Sequence, residues 1–162
     1  MKTVVLVRHG KSSWEYEVSD KDRPLLERGI RDIHLVSERY SKEAIKLQMA
    51  FSSPANRALH TCMIFLRNTG FSLTDLEITD ALYDFSGESV KHFVRSLDDS
   101  LEEVVLFGHN YAFTSIANDW GDQIIENVPT SGLVELKFET TKWNQIEKGV
   151  TSKILIPKQL RR

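Results

Sequence analysis

The chain contains few residues of several informative kinds. Its one cysteine, Cys62, allows no internal disulfide and no cysteine-based zinc site. Only four prolines and eight glycines occur among 162 residues, and no stretch has the composition of an interdomain linker. The longest unbroken apolar run is five residues, Cys62 to Leu66, which is too short to span a bilayer. We therefore expect a single domain over residues 1–162 and, without a recognisable targeting signal, a cytoplasmic protein.

Neither sign of charge dominates the sequence. Lys and Arg number 21 against 23 Asp and Glu, which gives a formal net charge of −2. This balance provides no general attraction for nucleic acid or an anionic membrane, so neither is expected as a partner. At 41% hydrophobic and 27% charged residues, the composition is that of a globular protein and argues against disorder.

Apolar segments of strand length alternate with segments of helical periodicity. We predict strands over Thr3–Val7, Gln48–Ser52, Leu76–Thr79, Val104–Phe107, Leu133–Phe138 and Ser152–Ile156. We predict helices over Leu25–Tyr40, Pro54–Asn68, Glu88–Leu101 and Tyr111–Trp120. Ser53 is expected to cap the second helix and Gly70 to end it. The alternation predicts an α/β fold, layered α/β/α with a mostly parallel sheet, and the separation of the last two strands allows them to form an antiparallel pair.

Two predicted strands run directly into a histidine. Arg8-His9-Gly10 follows the first strand, and Gly108-His109-Asn110 follows the fourth. Ligands of open α/β sheets bind beyond the carboxyl ends of the strands, so both histidines share one crevice if these strands are parallel neighbours. Arg57 lies in the first turn of a helix that also begins at a strand end, and its side chain is expected to reach the same edge.

Two arginines and two histidines at one edge suit a phosphoryl group. Guanidinium groups form paired, charge-assisted hydrogen bonds with its oxygens, and the nearby hydroxyls of Ser12 and Ser13 are further donors. A neutral imidazole can attack phosphorus, which indicates transfer through a phosphohistidine. Zinc is the alternative for paired histidines, but adjacent arginines repel a dication and no third ligand has a recognisable spacing.

The three motifs together resemble those of the histidine phosphatase superfamily, also called phosphoglycerate mutase-like. The resemblance rests on Arg8-His9-Gly10, the segment Ser52 to Ala58, and Gly108-His109-Asn110. Three further segments resemble the SixA-type phosphohistidine phosphatases: Lys11 to Trp14, Asp22 to Gly29 and Pro157-Lys158. The resemblance implies a phosphoglycerate mutase-like fold and a site that uses neither metal nor cofactor. It also implies that a loop comparable to Thr130-Ser131-Gly132 borders the site.

The same resemblance assigns roles to the four site residues. His9 becomes the nucleophile that is phosphorylated, and Arg8, Arg57 and His109 bind the phosphoryl oxygens and stabilise the transition state. Two departures from the family pattern stand out. Glu15 occupies a position where many members have a phosphate-binding Asn, and its charge should keep it turned away from phosphate. The expected glutamate proton donor also has no unambiguous match.

Asp84 and Glu88 are the candidates for that proton donor, although Glu88 also suits the positive end of a helix dipole. A basic alkoxide leaving group benefits from a donor, whereas imidazole leaves more readily because its conjugate acid has a pKa of about 6.5. The weak match therefore favours phosphohistidine on a partner protein, such as a phosphotransfer domain. A phosphatase of a small phosphate ester and a non-catalytic module that binds phosphoproteins remain the alternatives.

Overall fold

The computed structural model describes residues 1–43 and 45–161. Its strands are β1 (Lys2–Arg8), β2 (Met49–Ser52), β3 (Leu76–Ile78), β4 (Glu103–Gly108), β5 (Leu133–Phe138) and β6 (Val150–Leu155). Its helices are α1 (Glu27–Ser41), α2 (Asn56–Thr69), α3 (Glu88–Arg95), α4 (Ala112–Trp120) and α5 (Pro157–Leu160). Each predicted strand is present with bounds that differ by two residues at most, and α5 is a short helix that the sequence patterns did not predict.

The strands of the described residues form one sheet in the order β3-β2-β4-β1-β5-β6. β1 pairs with β4 in parallel, and β4 with β2 and β2 with β3 are parallel as well. β5 runs antiparallel to both β1 and β6. The predicted α/β fold with a mostly parallel sheet is therefore confirmed, as is the antiparallel pair near the end of the chain.

Apolar side chains cover both faces of the sheet because the central strands alternate buried residues above and below it. On one face, Val4 and Leu106 belong to a cluster that α3 and α4 complete. On the other face, Val5 and Phe107 belong to a cluster with residues of α1 and α2. The sheet is thus the middle of three layers, and its carboxyl edge is left for the loops.

Helix α3 is shorter than the predicted Glu88–Leu101. The hydroxyl of Ser96 donates to the carbonyl of His92 at 2.7 Å, and the carboxylate of Asp98 accepts the Ser100 N–H at 2.8 Å. Such side-chain hydrogen bonds offer the backbone an alternative to continued helix. The apolar periodicity continues to Leu101, but these residues lie in turns after α3.

Helix α2 begins two residues later than the predicted Pro54. Its N-cap residue is Ala55, so the predicted cap at Ser53 is wrong. The Ser53 hydroxyl bonds instead to Nε2 of His109 at 2.8 Å, and it also accepts the Ala55 N–H at 3.2 Å. Gly70 ends the helix in the left-handed conformation at φ 71°, as predicted.

Candidate active site

Three loops meet at the carboxyl edge of the sheet because β1, β4 and β2 are parallel neighbours. Arg8 at the end of β1 lies opposite Gly108 at the end of β4, and Ser52 of β2 lies opposite Phe107. The residues that follow these strands, His9, His109 and the segment leading to Arg57, therefore occupy one place, as the sequence predicts.

His9 is held with its outer nitrogen turned toward Arg57. Its side chain is buried, and Nδ1 donates to the carbonyl of Gly10 at 2.7 Å. Because Nδ1 carries the proton in this arrangement, Nε2 is unprotonated. Its lone pair accepts a hydrogen bond from Nε of Arg57 at 3.4 Å. A Cβ at Gly10 would lie 2.9 Å from the carbonyl oxygen of Gly29, so the loop requires glycine at this close approach.

The imidazole of His9 is neutral at physiological pH. Burial lowers the pKa of His9 to about 3, against an opposing effect of its hydrogen bond to Gly10, and the charges of Arg57 and Arg8 lower it further. A neutral imidazole, whose Nε2 carries a lone pair instead of a proton, is the form that attacks an electrophile. The site therefore holds His9 ready to act as a nucleophile without a separate base.

His109 lies beside His9, with 5.3 Å between the ring centroids. It is fully buried, and burial together with the charge of Arg57 lowers the pKa of His109 to about 3. Ser53 fixes the ring through Nε2, while Nδ1 has no hydrogen-bond partner among the described residues. Phe85 also packs against this ring, at a centroid distance of 4.9 Å.

The two arginines are fixed by main-chain carbonyls. Nη1 of Arg8 donates to the carbonyl of Val128 at 2.8 Å, and Nη1 of Arg57 donates to that of Asp20 at 2.5 Å. The Nε of Arg8 is buried and finds no partner in the described part of the chain. Such an anchored guanidinium presents fixed donors to a bound oxyanion at little entropic cost.

The loop before β5 closes this side of the site. The main-chain N–H of Ser131 donates to the carbonyls of Arg8 and His9, each at 3.1 Å. Ser131 adopts φ 62°, an uncommon conformation for a residue with a side chain. Its buried hydroxyl has no partner within residues 1–43 and 45–161. The position of Ser131 agrees with the expectation that this turn borders the site.

Asp20 is the site residue that sequence reasoning missed. Its carboxylate accepts hydrogen bonds from Nη2 of Arg57 at 2.8 Å and from the Tyr83 hydroxyl at 2.5 Å. Nε of Arg23 donates to the same carboxylate at 3.3 Å. The only sequence signal was the i,i+3 spacing of Asp20 and Arg23 within the long loop after His9.

Ser12, a predicted phosphate ligand, is hydrogen-bonded to Arg23, which also contacts Asp20. Its hydroxyl accepts a hydrogen bond from Nη1 of Arg23 at 2.7 Å. The guanidinium of Arg23 also stacks on the ring of Trp14, 3.6 Å from its centroid, and Trp14 is largely exposed. Ser12 is thus connected to the site through Arg23, and Trp14 lies on its outer rim. Glu15 is exposed beside them.

The two proton-donor candidates have other contacts. Asp84 accepts the N–H groups of Gly87 and Val90 at 3.0 and 3.1 Å, at the beginning of α3. Burial would raise the pKa of Asp84, but these hydrogen bonds hold it below its ordinary value. Glu88 is 84% exposed in its side chain, and its carboxylate lies 3.8 Å from Nζ of Lys91. Neither candidate has a described contact with His9, Arg57 or His109.

Within residues 1–43 and 45–161, no group of three or more His, Cys, Asp or Glu side chains is arranged to hold a metal ion. The described helices include none with the length and apolarity needed to cross a membrane.

Comparison with known proteins identifies the class. The family model of the histidine phosphatase superfamily (branch 1) matches residues 4–92, more than half of the chain, and the chain belongs to this superfamily. The uncharacterized protein Rv1276c of Mycobacterium tuberculosis is 26% identical over 153 residues, which cover 88% of this chain and 93% of the relative.

Solved structures agree with the fold. The SixA protein of Agrobacterium tumefaciens superposes with a TM-score of 0.80 at 22% identity, covering 96% of this chain and 98% of its own. The protein histidine phosphatase SixA, solved with tungstate, gives a TM-score of 0.83 at 17% identity, covering 98% and 99%. At these identities the likeness shows the phosphoglycerate mutase-like fold that the sequence motifs predicted.

Proposed function

We propose that this phosphatase removes the phosphoryl group from phosphohistidine on a partner protein, by way of a phosphohistidine formed on its own His9. The observation that carries the proposal is the state of His9. Its Nδ1 is fixed to Gly10, its Nε2 lone pair faces Arg57, and its low pKa keeps the ring neutral. Membership of the histidine phosphatase superfamily supports phosphatase chemistry.

The reaction has two displacement steps. In the first, the lone pair on Nε2 of His9 forms a bond to phosphorus, and the electrons of the breaking P–N bond go to the departing imidazole. In the second, water attacks the phosphorus of phospho-His9, the new P–N bond breaks, and phosphate leaves. Little covalent work is required of the other residues, because phosphoryl transfer depends mainly on positioning and charge stabilisation.

Arg8, Arg57 and His109 are the residues proposed to supply that stabilisation. The guanidinium of Arg57 lies beside Nε2 of His9, where charge on the phosphoryl oxygens develops. Arg8 and His109 each have one buried nitrogen, Nε and Nδ1, without a partner among the described residues. Buried polar atoms are normally hydrogen-bonded, and a bound oxyanion provides acceptors for both of these. SixA in its tungstate complex is a neighbour that binds such a tetrahedral oxyanion.

The choice of phosphohistidine as the substrate rests on the leaving group. Asp84 is committed to the N–H groups at the start of α3, and Glu88 is exposed beside Lys91. An alkoxide leaving group needs a positioned acid, whereas imidazole leaves with less help. The names of the SixA neighbours, which are histidine phosphatases, point to the same substrate.

Multiple-turnover phosphate release tests this function. The wild type should release phosphate from a phosphohistidine protein, with kcat/KM at least tenfold above that for phosphoglycerate. His9→Ala should abolish both activities, whereas His60→Ala, a change at an exposed histidine of α2, should leave them intact. Faster release from phosphoglycerate would establish the small-ester alternative. Binding of the phosphoprotein without any turnover would establish the non-catalytic module.

A further inference from the structure

Asp20 occupies a distinctive place at the mouth of the site. It lies in a short 3₁₀ turn, Asp20–Asp22, within the loop that joins β1 to α1. Its side chain is 42% exposed, whereas the side chain of Arg57, with which it pairs, is 2% exposed. Asp20 therefore forms the outer side of a contact whose inner side is buried next to His9.

The Arg57 guanidinium separates Asp20 from the nucleophile. Its Nε faces Nε2 of His9, and its Nη1 and Nη2 atoms face the carbonyl and the carboxylate of Asp20. A phosphoryl group that is bound to Arg57 and attacked by His9 has its departing bond directed away from His9, toward the open side. A group that departs on this side would come close to the carboxylate of Asp20, which is the exposed partner of Arg57.

Asp20 is ionised in this setting and cannot serve as a proton donor. Burial would raise the pKa of Asp20, but hydrogen bonds from Tyr83 and Arg57, the charge of Arg57 and a hydrogen bond from Arg23 hold it well below its usual range. A carboxylate with this surrounding remains an acceptor of hydrogen bonds at physiological pH. It gives no proton to an alkoxide leaving group, and its charge repels a substrate that carries a carboxylate of its own, such as phosphoglycerate.

A phosphorylated imidazole is the leaving group that this carboxylate suits. When the nitrogen not bound to phosphorus carries a proton, the ring is cationic, and cleavage of the P–N bond releases neutral imidazole. The proton stays on its nitrogen, and the electron pair of the P–N bond moves to the other ring nitrogen. A carboxylate that accepts a hydrogen bond from this N–H raises the fraction of bound substrate whose ring is protonated, and the protonated ring leaves as neutral imidazole rather than as the far more basic imidazolide.

We propose that Asp20 is a specificity-determining catalytic residue whose carboxylate accepts the N–H of the departing imidazole and so selects phosphoramidates over phosphate esters. This inference rests on the proposed function and names the chemistry that distinguishes its substrate. It also explains how the site acts without a proton donor at Asp84 or Glu88, because the substrate brings the proton that its leaving group requires.

The test compares two small substrates, phosphoimidazole and nitrophenyl phosphate, in wild type and Asp20→Asn. Loss of the charged acceptor should lower kcat/KM for phosphoimidazole by about ten- to a hundredfold, the range expected for one hydrogen bond to a charged group. Nitrophenyl phosphate has no N–H, so it reports only what the change at Asp20 does to Arg57 and to the fold, and its kcat/KM should fall by a clearly smaller factor than that of phosphoimidazole.

Asp22→Asn is the matched control, because Asp22 is exposed in the same turn and the change removes the same charge. This control should leave the ratio of kcat/KM for phosphoimidazole to kcat/KM for nitrophenyl phosphate at its wild-type value. In Asp20→Asn, an equal fractional loss of kcat/KM on both substrates would show that Asp20 only positions Arg57. That result, or no loss on either substrate, would overturn the proposal.

A second substrate separates the hydrogen bond from the charge. A methyl group on the second nitrogen of phosphoimidazole keeps the positive charge without the N–H. With this substrate wild type and Asp20→Asn should differ little, and a persisting difference also contradicts the proposal.

The same measurements distinguish failure of the proposed function from failure of the role assigned to Asp20. If wild type forms no phospho-His9 from either substrate, the proposed function is wrong. If wild type forms phospho-His9 and turns over both substrates but Asp20→Asn keeps the wild-type ratio, only the role of Asp20 is wrong.

Discussion

Nε of Arg57 donates to Nε2 of His9 at 3.4 Å, so the guanidinium group lies against the nitrogen that is proposed to attack phosphorus. The two residues are 48 positions apart and follow two different strands, β1 and β2. Their contact exists because β4 lies between these strands and runs parallel to both. The fold thereby places a fixed positive charge beside the neutral imidazole of the proposed nucleophile.

Replacement of Arg57 by alanine should lower kcat/KM strongly. Hydrogen bonds to charged groups contribute about 1.5–3 kcal/mol each, so loss of those to the phosphoryl oxygens should cost roughly ten- to a hundredfold or more. Arg67→Ala, at an exposed arginine of the same helix, is the control and should retain wild-type rates. Wild-type activity in Arg57→Ala would show that Arg57 does not take part in binding the phosphoryl group.

Removal of the Ser53 hydroxyl should weaken catalysis by a smaller factor. Ser53 fixes the His109 ring through Nε2, and one neutral hydrogen bond contributes about 0.5–1.5 kcal/mol. Ser53→Ala should therefore lower kcat by roughly two- to tenfold with little change in KM, measured on nitrophenyl phosphate. Ser41→Ala changes an exposed serine and should have no effect. An unaltered kcat in Ser53→Ala would show that the ring does not depend on this hydroxyl.

The buried histidines should make the protein less stable at acidic pH. The pKa of each of His9 and His109 is lowered to about 3 in the folded state, so between about pH 6.5 and pH 3 the unfolded chain binds more protons. The free energy of unfolding should fall as pH falls through this window, by up to about 1.4 kcal/mol per pH unit for each histidine. Urea unfolding at several pH values measures the slope.

The corresponding variants separate this effect from other titrations. His109→Asn should reduce the slope of unfolding free energy against pH, because the variant has one fewer buried neutral imidazole. His92→Asn, at an exposed histidine of α3, is measured alongside as the control for the substitution itself. Equal slopes in wild type and His109→Asn would contradict a lowered pKa at this residue.

Asp84→Ala should destabilise the fold without disabling catalysis. Asp84 accepts main-chain N–H groups at the start of α3, and loss of a helix cap costs about 1 kcal/mol, up to about 2 kcal/mol. The unfolding free energy should fall by this amount, while kcat/KM on phosphohistidine protein stays within about threefold of wild type. Glu88→Gln should change neither quantity appreciably. A thousandfold loss of rate in either variant would identify an essential acid.

The strands and the meeting of the two histidines could be predicted from local patterns. A short apolar run such as Val4–Val7 that is buried on both faces indicates a central parallel strand, and parallel strands end at the same edge. His9 and His109 follow such strands directly, so their proximity depends only on the parallel pairing of β1 with β4.

Other features depend on contacts that sequence spacing does not encode. The sequence predicts a helix cap at Ser53 because that is the usual role of serine before a helix, but tertiary packing brings His109 to its hydroxyl. Asp20 lies in a loop without periodicity, and its partners Arg57 and Tyr83 are 37 and 63 residues away. The sequence predicts an end of α3 beyond its observed end at Arg95, because the apolar periodicity continues through the turn residues that follow.

Identification of the phosphorylated residue tests the central claim most directly. Wild type is incubated with phosphoimidazole, quenched rapidly in base and analysed by peptide mass spectrometry. The account predicts a phosphate on His9 that is stable in base and labile in acid, and its complete absence in His9→Ala. Phosphate on His109 with His9 unmodified would contradict the assignment of the nucleophile, and rapid turnover without any phosphorylated histidine would contradict the covalent mechanism.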